Sequence, residues 1–237
     1  MFQRFDLLFC VLLSGIIVGQ AADLRGDEDG PTSTSQRADR DDGWIALFDG
    51  KSLNGWVDVD GQPVKLGWAV EDGMIVRTRR GGYLVTARKF GDFELVVEWK
   101  LARGTNSGIK YRVKNYGDRV LGPEYQLIDD EGYRHPISAG QRTGALYAMF
   151  PPPADVKPNP AGEWNRGCII ARGTRFEHWL NGKKIVDVDT TSNDWKHRLL
   201  FSKFITHPDF GQAPRGPIMI QDHGGKIWFR KIELREL

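Results

Sequence analysis

A chain of 237 residues with 33 Lys and Arg against 31 Asp and Glu has a formal charge of only +2. That excludes a strong electrostatic pull toward phosphates or anionic lipid and makes nucleic acid an unexpected partner. The length suits one all-β domain with appendages, and eight Trp in a chain that is 11% aromatic are residues that either fill a core or offer a flat face to a ligand such as carbohydrate.

The chain opens with Arg4, an apolar run over residues 7–18, and the small residues Gly19, Ala21 and Ala22. These are the charged start, apolar stretch and small-residue box of a secretory signal. The run is shorter than the roughly 20 residues that span a bilayer. Residues 1–21 are therefore expected to be removed after Ala21, giving an exported, periplasmic or extracellular protein without a membrane span. Cys10 goes with the signal, so Cys168 alone remains and no intramolecular disulfide can hold the fold. Residues 22–42 are almost all polar and bury too little to offset chain entropy, which predicts a disordered spacer. The folded domain is expected over residues 43–237.

From Gly43 onward apolar residues alternate with period two, and no window of about ten residues reads as an amphipathic helix. A first strand is expected near residues 44–48. Residues 68–71 and 74–77 flank Asp72-Gly73, and residues 176–180 and 184–188 flank Asn181-Gly182, dipeptides that suit two-residue hairpin turns. Further strands are expected at 93–101, 108–113, 124–129, 144–149, 168–172, 218–221 and 227–234. Proline-bearing stretches at 151–162 and 207–217 read as loops, because proline cannot donate to a ladder. So many strands imply two packed sheets; pairing of the first and last strands is an expectation of that architecture and carries no signal of its own in the sequence.

Alternation also sorts the faces of each strand. Tyr125 and Leu127 point to the core, leaving Glu124 and Gln126 together on the other face. The same sorting puts Lys110 and Arg112 outward in 109–113, and Gln221 and His223 away from Ile218 and Ile220. A solvated face is usually rich in Lys, Glu and Thr, whereas Arg, Glu, Gln and His form a set that can bracket sugar hydroxyls. In 176–180, with Phe176 and Leu180 in the core, His178 is a buried or edge histidine and Trp179 faces a ligand as a stacking platform; Trp164 is the other candidate platform.

These segments resemble the 3-keto-disaccharide hydrolase family. The likeness runs from Trp44-Ile45-Ala46-Leu47-Phe48-Asp49-Gly50 through Asn106-Ser107-Gly108-Ile109-Lys110-Tyr111-Arg112, Glu124-Tyr125-Gln126-Leu127-Ile128-Asp129, Thr143-Gly144-Ala145-Leu146-Tyr147 and Glu163-Trp164-Asn165. It ends with His178-Trp179-Leu180-Asn181-Gly182, Ser202-Lys203-Phe204 and Ile220-Gln221-Asp222-His223-Gly224-Gly225. One departure is Lys231 in Arg230-Lys231-Ile232, where the family pattern is expected to place Asn. The resemblance implies an all-β, concanavalin A-like jelly-roll sandwich of two antiparallel sheets and an exported enzyme that cleaves glycosides already oxidised to a ketone at C3. The same sandwich also serves noncatalytic, lectin-like carbohydrate-binding modules.

A C3 ketone acidifies the hydrogen at C2, so a base can remove it and expel the C1 oxygen, with water adding afterwards. His223 is the expected base and Glu124 the expected acid, with exchange of the two roles as the alternative, Arg112 or Lys203 holding the enolate and Gln126 and Gln221 positioning hydroxyls. Tyr147, Asn165, His178 and Trp179 complete the expected substrate contacts. The sequence has no His-Glu-x-x-His, Gly-x-Ser-x-Gly, Gly-rich phosphate loop or Cys-x-x-Cys pattern. Whether a divalent metal sits among Glu124, Asp129, Asp222 and His223 stays open, since the contiguous metal-loop spacings are absent.

Overall fold

The structure, a computed structural model, describes residues 43–117 and 119–237. The expected signal and spacer lie outside the described residues. In chain order the strands are β1 (Trp44–Ala46), β2 (Trp56–Val57), β3 (Trp68–Glu71), β4 (Met74–Arg77), β5 (Leu84–Thr86), β6 (Phe93–Leu101), β7 (Asn106–Lys110), β8 (Lys114–Asn115), β9 (Val120–Leu121) and β10 (Glu124–Ile128). There follow β11 (Trp164–Arg172), β12 (Arg175–Leu180), β13 (Lys183–Asp189), the helix α1 (Asn193–Leu200), β14 (Met219–Ile220) and β15 (Ile227–Glu236).

All pairings are antiparallel. A large sheet runs β13-β12-β11-β6-β15-β4-β3, with β1 also on β15 as expected for the terminal strands; a second runs β10-β7-β14-β5-β2. Their inner faces share one apolar core, to which β6 sends Leu95, Val97 and Trp99 while β7, β10 and β14 send Ile109, Tyr125, Leu127 and Ile220. Each fully buried Leu, Ile or Phe side chain contributes about 1.5–3 kcal/mol of transfer free energy, so this layer holds the sheets together without a disulfide.

Both predicted hairpin turns form, linking β3 to β4 and β12 to β13. Asp72 and Asn181 take φ of 49° and 47°, the left-handed conformation that such turns require and that Asp and Asn tolerate. Lys231, also left-handed at φ 53°, sits where the register of β15 against β6 slips between Arg230 and Ile232. A bulge with positive φ explains why Asn is the expected residue there. The strand expected at 144–149 does not form: Gly144 has φ 83° and Ala148 φ 59°, and the segment folds into turns held on β10 by an isolated bridge from Leu146 to Tyr125 and by backbone hydrogen bonds of Gly144 and Ala145 with Gln126 and of Tyr147 with Glu124. The eight-residue α1 is shorter than the window of about ten residues in which an amphipathic helix becomes legible. Its N-cap is Ser192, whose Oγ accepts the Trp195 amide, and it buries Trp195 and Leu199.

Candidate active site

Three neighbouring strands of the five-stranded sheet build a polar cluster on its outer face. Because Tyr125 and Leu127 enter the core, Glu124 and Gln126 project outward from β10. Ile109 goes inward in the same way, leaving Lys110, Gly108 and Asn106 outward on β7. Glu124 lies opposite Lys110, and Gln126 opposite Gly108. Beyond β14 the backbone keeps its phase, with the Gln221 amide donating to the Gly108 carbonyl at 2.9 Å.

Gly108 makes the cluster by what it lacks. A Cβ there would stand 2.7 Å from Glu124 Oε1 and 3.1 Å from Gln221 Oε1. The missing side chain leaves room for Glu124 and Gln221 to meet across β7, and Gln221 Nε2 donates to Glu124 Oε2 at 2.7 Å. The Gln126 amide nitrogen, turned toward its two acceptors, lies 3.0 Å from Glu124 Oε1 and 3.0 Å from the Ser107 carbonyl. Gln221 Oε1 is buried and has no donor, an acceptor available to a ligand hydroxyl.

Two lysines and a histidine complete the wall. Lys110 Nζ lies 5.7 Å from the centre of the Tyr83 ring, and Lys203 Nζ 4.1 Å from that of Tyr147. Tyr147 itself is anchored by its amide, which donates to the Glu124 carbonyl at 3.0 Å. Lys203 reaches the cluster from the turn after α1, where Ser202 Oγ accepts the Phe204 amide at 3.0 Å and donates to the Leu199 carbonyl at 2.9 Å. His223 Nε2 is 3.3 Å from the Tyr83 hydroxyl. Asp222 fixes both neighbours: its carboxylate pairs with Arg77 and accepts the amides of Gly81 at 2.8 Å and Gly82 at 3.0 Å, pinning the segment that carries Tyr83 beside His223.

Burial raises the Glu124 pKa above the ordinary carboxyl value, against the opposing pull of Lys110, Lys203 and the Gln221 hydrogen bond. Burial lowers Lys110, with Lys203 adding to the effect and Glu124 opposing it. His223 is lowered by burial and then by the charges of Lys110 and Lys203. A buried acid held toward its protonated form and a histidine held toward its neutral form, in one cluster, is the arrangement acid–base chemistry uses.

Of the residues singled out from sequence, Glu124, Gln126, Tyr147, Lys203, Gln221 and His223 come together here. Arg112 does not. β7 ends at Lys110, Arg112 turns left-handed at φ 45°, and its guanidinium is spent on the Gly91 carbonyl at 3.0 Å, the Gly173 carbonyl at 2.6 Å and Asp92 Oδ1 at 2.6 Å. His178 is fully buried between the Tyr111 hydroxyl at 3.0 Å and the Gly144 carbonyl at 2.9 Å; burial pushes its pKa down to about 4, so it is a core histidine. Asn165 uses its amide on the Asn159 backbone and on Asn181 Nδ2. Trp179 projects from β12 on the outer face of the other sheet, where its Nε1 donates to Glu177 at 3.0 Å and Lys184 covers the ring at 5.6 Å. Trp164 is likewise covered, by Arg230 at 4.0 Å and Lys100 at 5.1 Å.

Lys110, Asn106, Gly108 and Tyr83 were not chosen from sequence. Alternation already showed Lys110 outward, and Asn106 and Gly108 lie within a quoted motif, whereas nothing local marks Tyr83. The four side chains considered for a divalent metal do not converge. Asp129 accepts the amides of Gly104 at 2.7 Å and Gly132 at 3.0 Å, Asp222 is tied as above, and no three His, Cys, Asp or Glu side chains among the described residues form a ligand set.

Residues 43–235 match the family described as the 3-keto-alpha-glucoside-1,2-lyase-like domain. The chain is 32% identical over 233 residues to a 3-keto-disaccharide hydrolase of Bacteroides thetaiotaomicron, covering 83% of this chain and 79% of that protein. A crystal structure of a candidate glycosyl hydrolase from Parabacteroides distasonis superposes with a TM-score of 0.75 at 35% identity, over 82% of this chain and 94% of that one. A second from the same organism gives 0.64 at 25% identity, over 82% and 99%.

Proposed function

The chain belongs to the 3-keto-alpha-glucoside-1,2-lyase-like family, and from that premise we propose that it is an enzyme that cleaves 3-keto disaccharides and related glycosides by elimination across C1 and C2. The name of the Bacteroides relative, a 3-keto-disaccharide hydrolase, supports the substrate class. The observation that carries the chemistry is the convergence of Glu124, Lys110, Lys203, Gln221 and His223 on one sheet face, where burial favours a protonated Glu124 and a neutral His223.

In this reading neutral His223 takes the proton from C2. The C2–H electron pair forms the enolate C2=C3–O⁻, whose charge Lys110 and Lys203 offset. Lys110 thereby takes the role that Arg112 cannot fill. As the enolate collapses, C3=O re-forms, C1=C2 forms, and the C1–O bond breaks with its electron pair leaving on oxygen, which receives the proton of Glu124. Water then adds at C1, and C2 regains a proton, giving net hydrolysis. Gln126 and Gln221 hold Glu124, and the free Gln221 Oε1 accepts a sugar hydroxyl. The apolar run at residues 7–18 supports action outside the cytoplasm.

The test is turnover of a 3-keto disaccharide by His223→Ala and Glu124→Gln. Each should lose at least about 10²-fold in kcat with the melting temperature retained, the lower end for a lost acid–base group. Full activity in either variant removes that residue from the mechanism.

A further inference from the structure

Where β10 runs out at Ile128, a groove of about 1100 Å³ opens between the segments 128–142 and 156–161. It continues the face that carries the acid. Glu124, Gln126 and Ile128 project on the same side of β10, and four residues of strand advance about 13 Å, a span that a glycoside covers with its leaving group. Tyr133 belongs to both regions, since it lines the groove and its hydroxyl lies 3.5 Å from Asn106 Nδ2.

Arg103, Arg134, Arg142 and Lys157 line the groove, are exposed, and make no ion pair with another described residue. Three acids stand beside them: Asp129, which accepts the Gly104 and Gly132 amides, Asp130, which accepts the Thr143 amide at 2.9 Å and feels the charge of Arg142, and Glu131. Four cations thus line the groove with three carboxylates. Guanidinium groups match the two oxygens of a carboxylate, and Pro136, Ile137 and Pro158 supply an apolar floor.

We infer that this groove is the leaving-group subsite, and that it selects glycosides whose leaving group carries a carboxylate. The subsite role rests on the cleavage reading above; the affinity of the groove for a carboxylate does not. Two matched pairs test it: 4-hydroxybenzoate against 4-hydroxybenzamide, and glucuronate against glucose, each as the free compound in calorimetry and as the 3-keto glucoside in turnover. The acid of at least one pair should bind about tenfold or more tighter than its neutral partner, about 1.4 kcal/mol, and the preference should fall in high salt. The pair with the larger ratio separates an aryl acid from a sugar acid. In the double variant Arg134→Gln/Arg142→Gln, both exposed positions, the ratio should approach one. Acid and neutral bound alike in both pairs, or a ratio unmoved in the double variant, overturns the inference even if both glycosides are cleaved. Binding of the acid with cleavage of neither glycoside overturns the cleavage reading and keeps the carboxylate groove.

Discussion

Burial drives Glu124 and His223 apart, while Lys110 and Lys203 pull both down, so the lysines tune the proposed base as well as offset the enolate. Lys110 lowers His223 through its charge, which keeps the imidazole neutral at a pH below its ordinary value of about 6.5. Lys110→Met removes that charge and raises the His223 pKa. The acidic limb of kcat/KM should therefore move to higher pH, together with a fall in kcat from the lost enolate contact. A limb that stays in place would separate Lys110 from the base. His178 gives a stability prediction of different origin. Its folded pKa of about 4 lies below the unfolded value of about 6.5, so the unfolded chain binds the extra proton. The stability it contributes is complete above pH 6.5 and is lost as pH falls toward 4. Between pH 7 and pH 5 the loss is about 2 kcal/mol. Urea unfolding should show a drop of that size in wild type that is absent in His178→Gln; equal pH dependence in the two would contradict the buried neutral histidine.

The strand is the scale at which the cluster is assembled, through a row that reads Gln126 on β10, Gly108 on β7 and Gln221 just beyond β14. Gly108→Ala should push Glu124 and Gln221 apart, since its Cβ would stand 2.7 Å from Glu124 Oε1. Turnover should fall at least about tenfold, because misplacing a catalytic group is costly, while the melting temperature changes little, the contact being with side-chain ends. Unaltered turnover would show that the row does not position the acid. Strand phase was legible in the sequence for the same reason this row exists: alternation fixes which side chains share a face. It cannot say to which sheet a strand belongs, and so Trp179, correctly placed off the core of β12, stands on the far side of the sandwich. Nor does it foresee where a strand stops. Arg112 was sorted outward with Lys110, but the left-handed turn after β7 swings it into an ion pair with Asp92.

For the whole molecule, the two packed sheets followed from periodicity and turn chemistry, the pairing of the termini only from the architecture such sandwiches share, and the core needed only the apolar half of each strand. The segment 129–161 was less legible. Its turns depend on positive φ at Gly144 and Ala148 and on side-chain ties such as Asp130 to Thr143, which carry no periodic signal. That segment also supplies Tyr147 and most of the groove, so the substrate class was easier to anticipate than the leaving group. The central claim is that the C3 ketone makes the C2 hydrogen the one removed. A 3-keto disaccharide carrying deuterium at C2 of the oxidised ring, supplied beside its unoxidised parent in ordinary water, tests it most directly. The account predicts cleavage of the keto compound alone, with the deuterium lost from the released sugar beyond the loss in an enzyme-free control. Cleavage of the parent, or release of a sugar that keeps its deuterium, would contradict it.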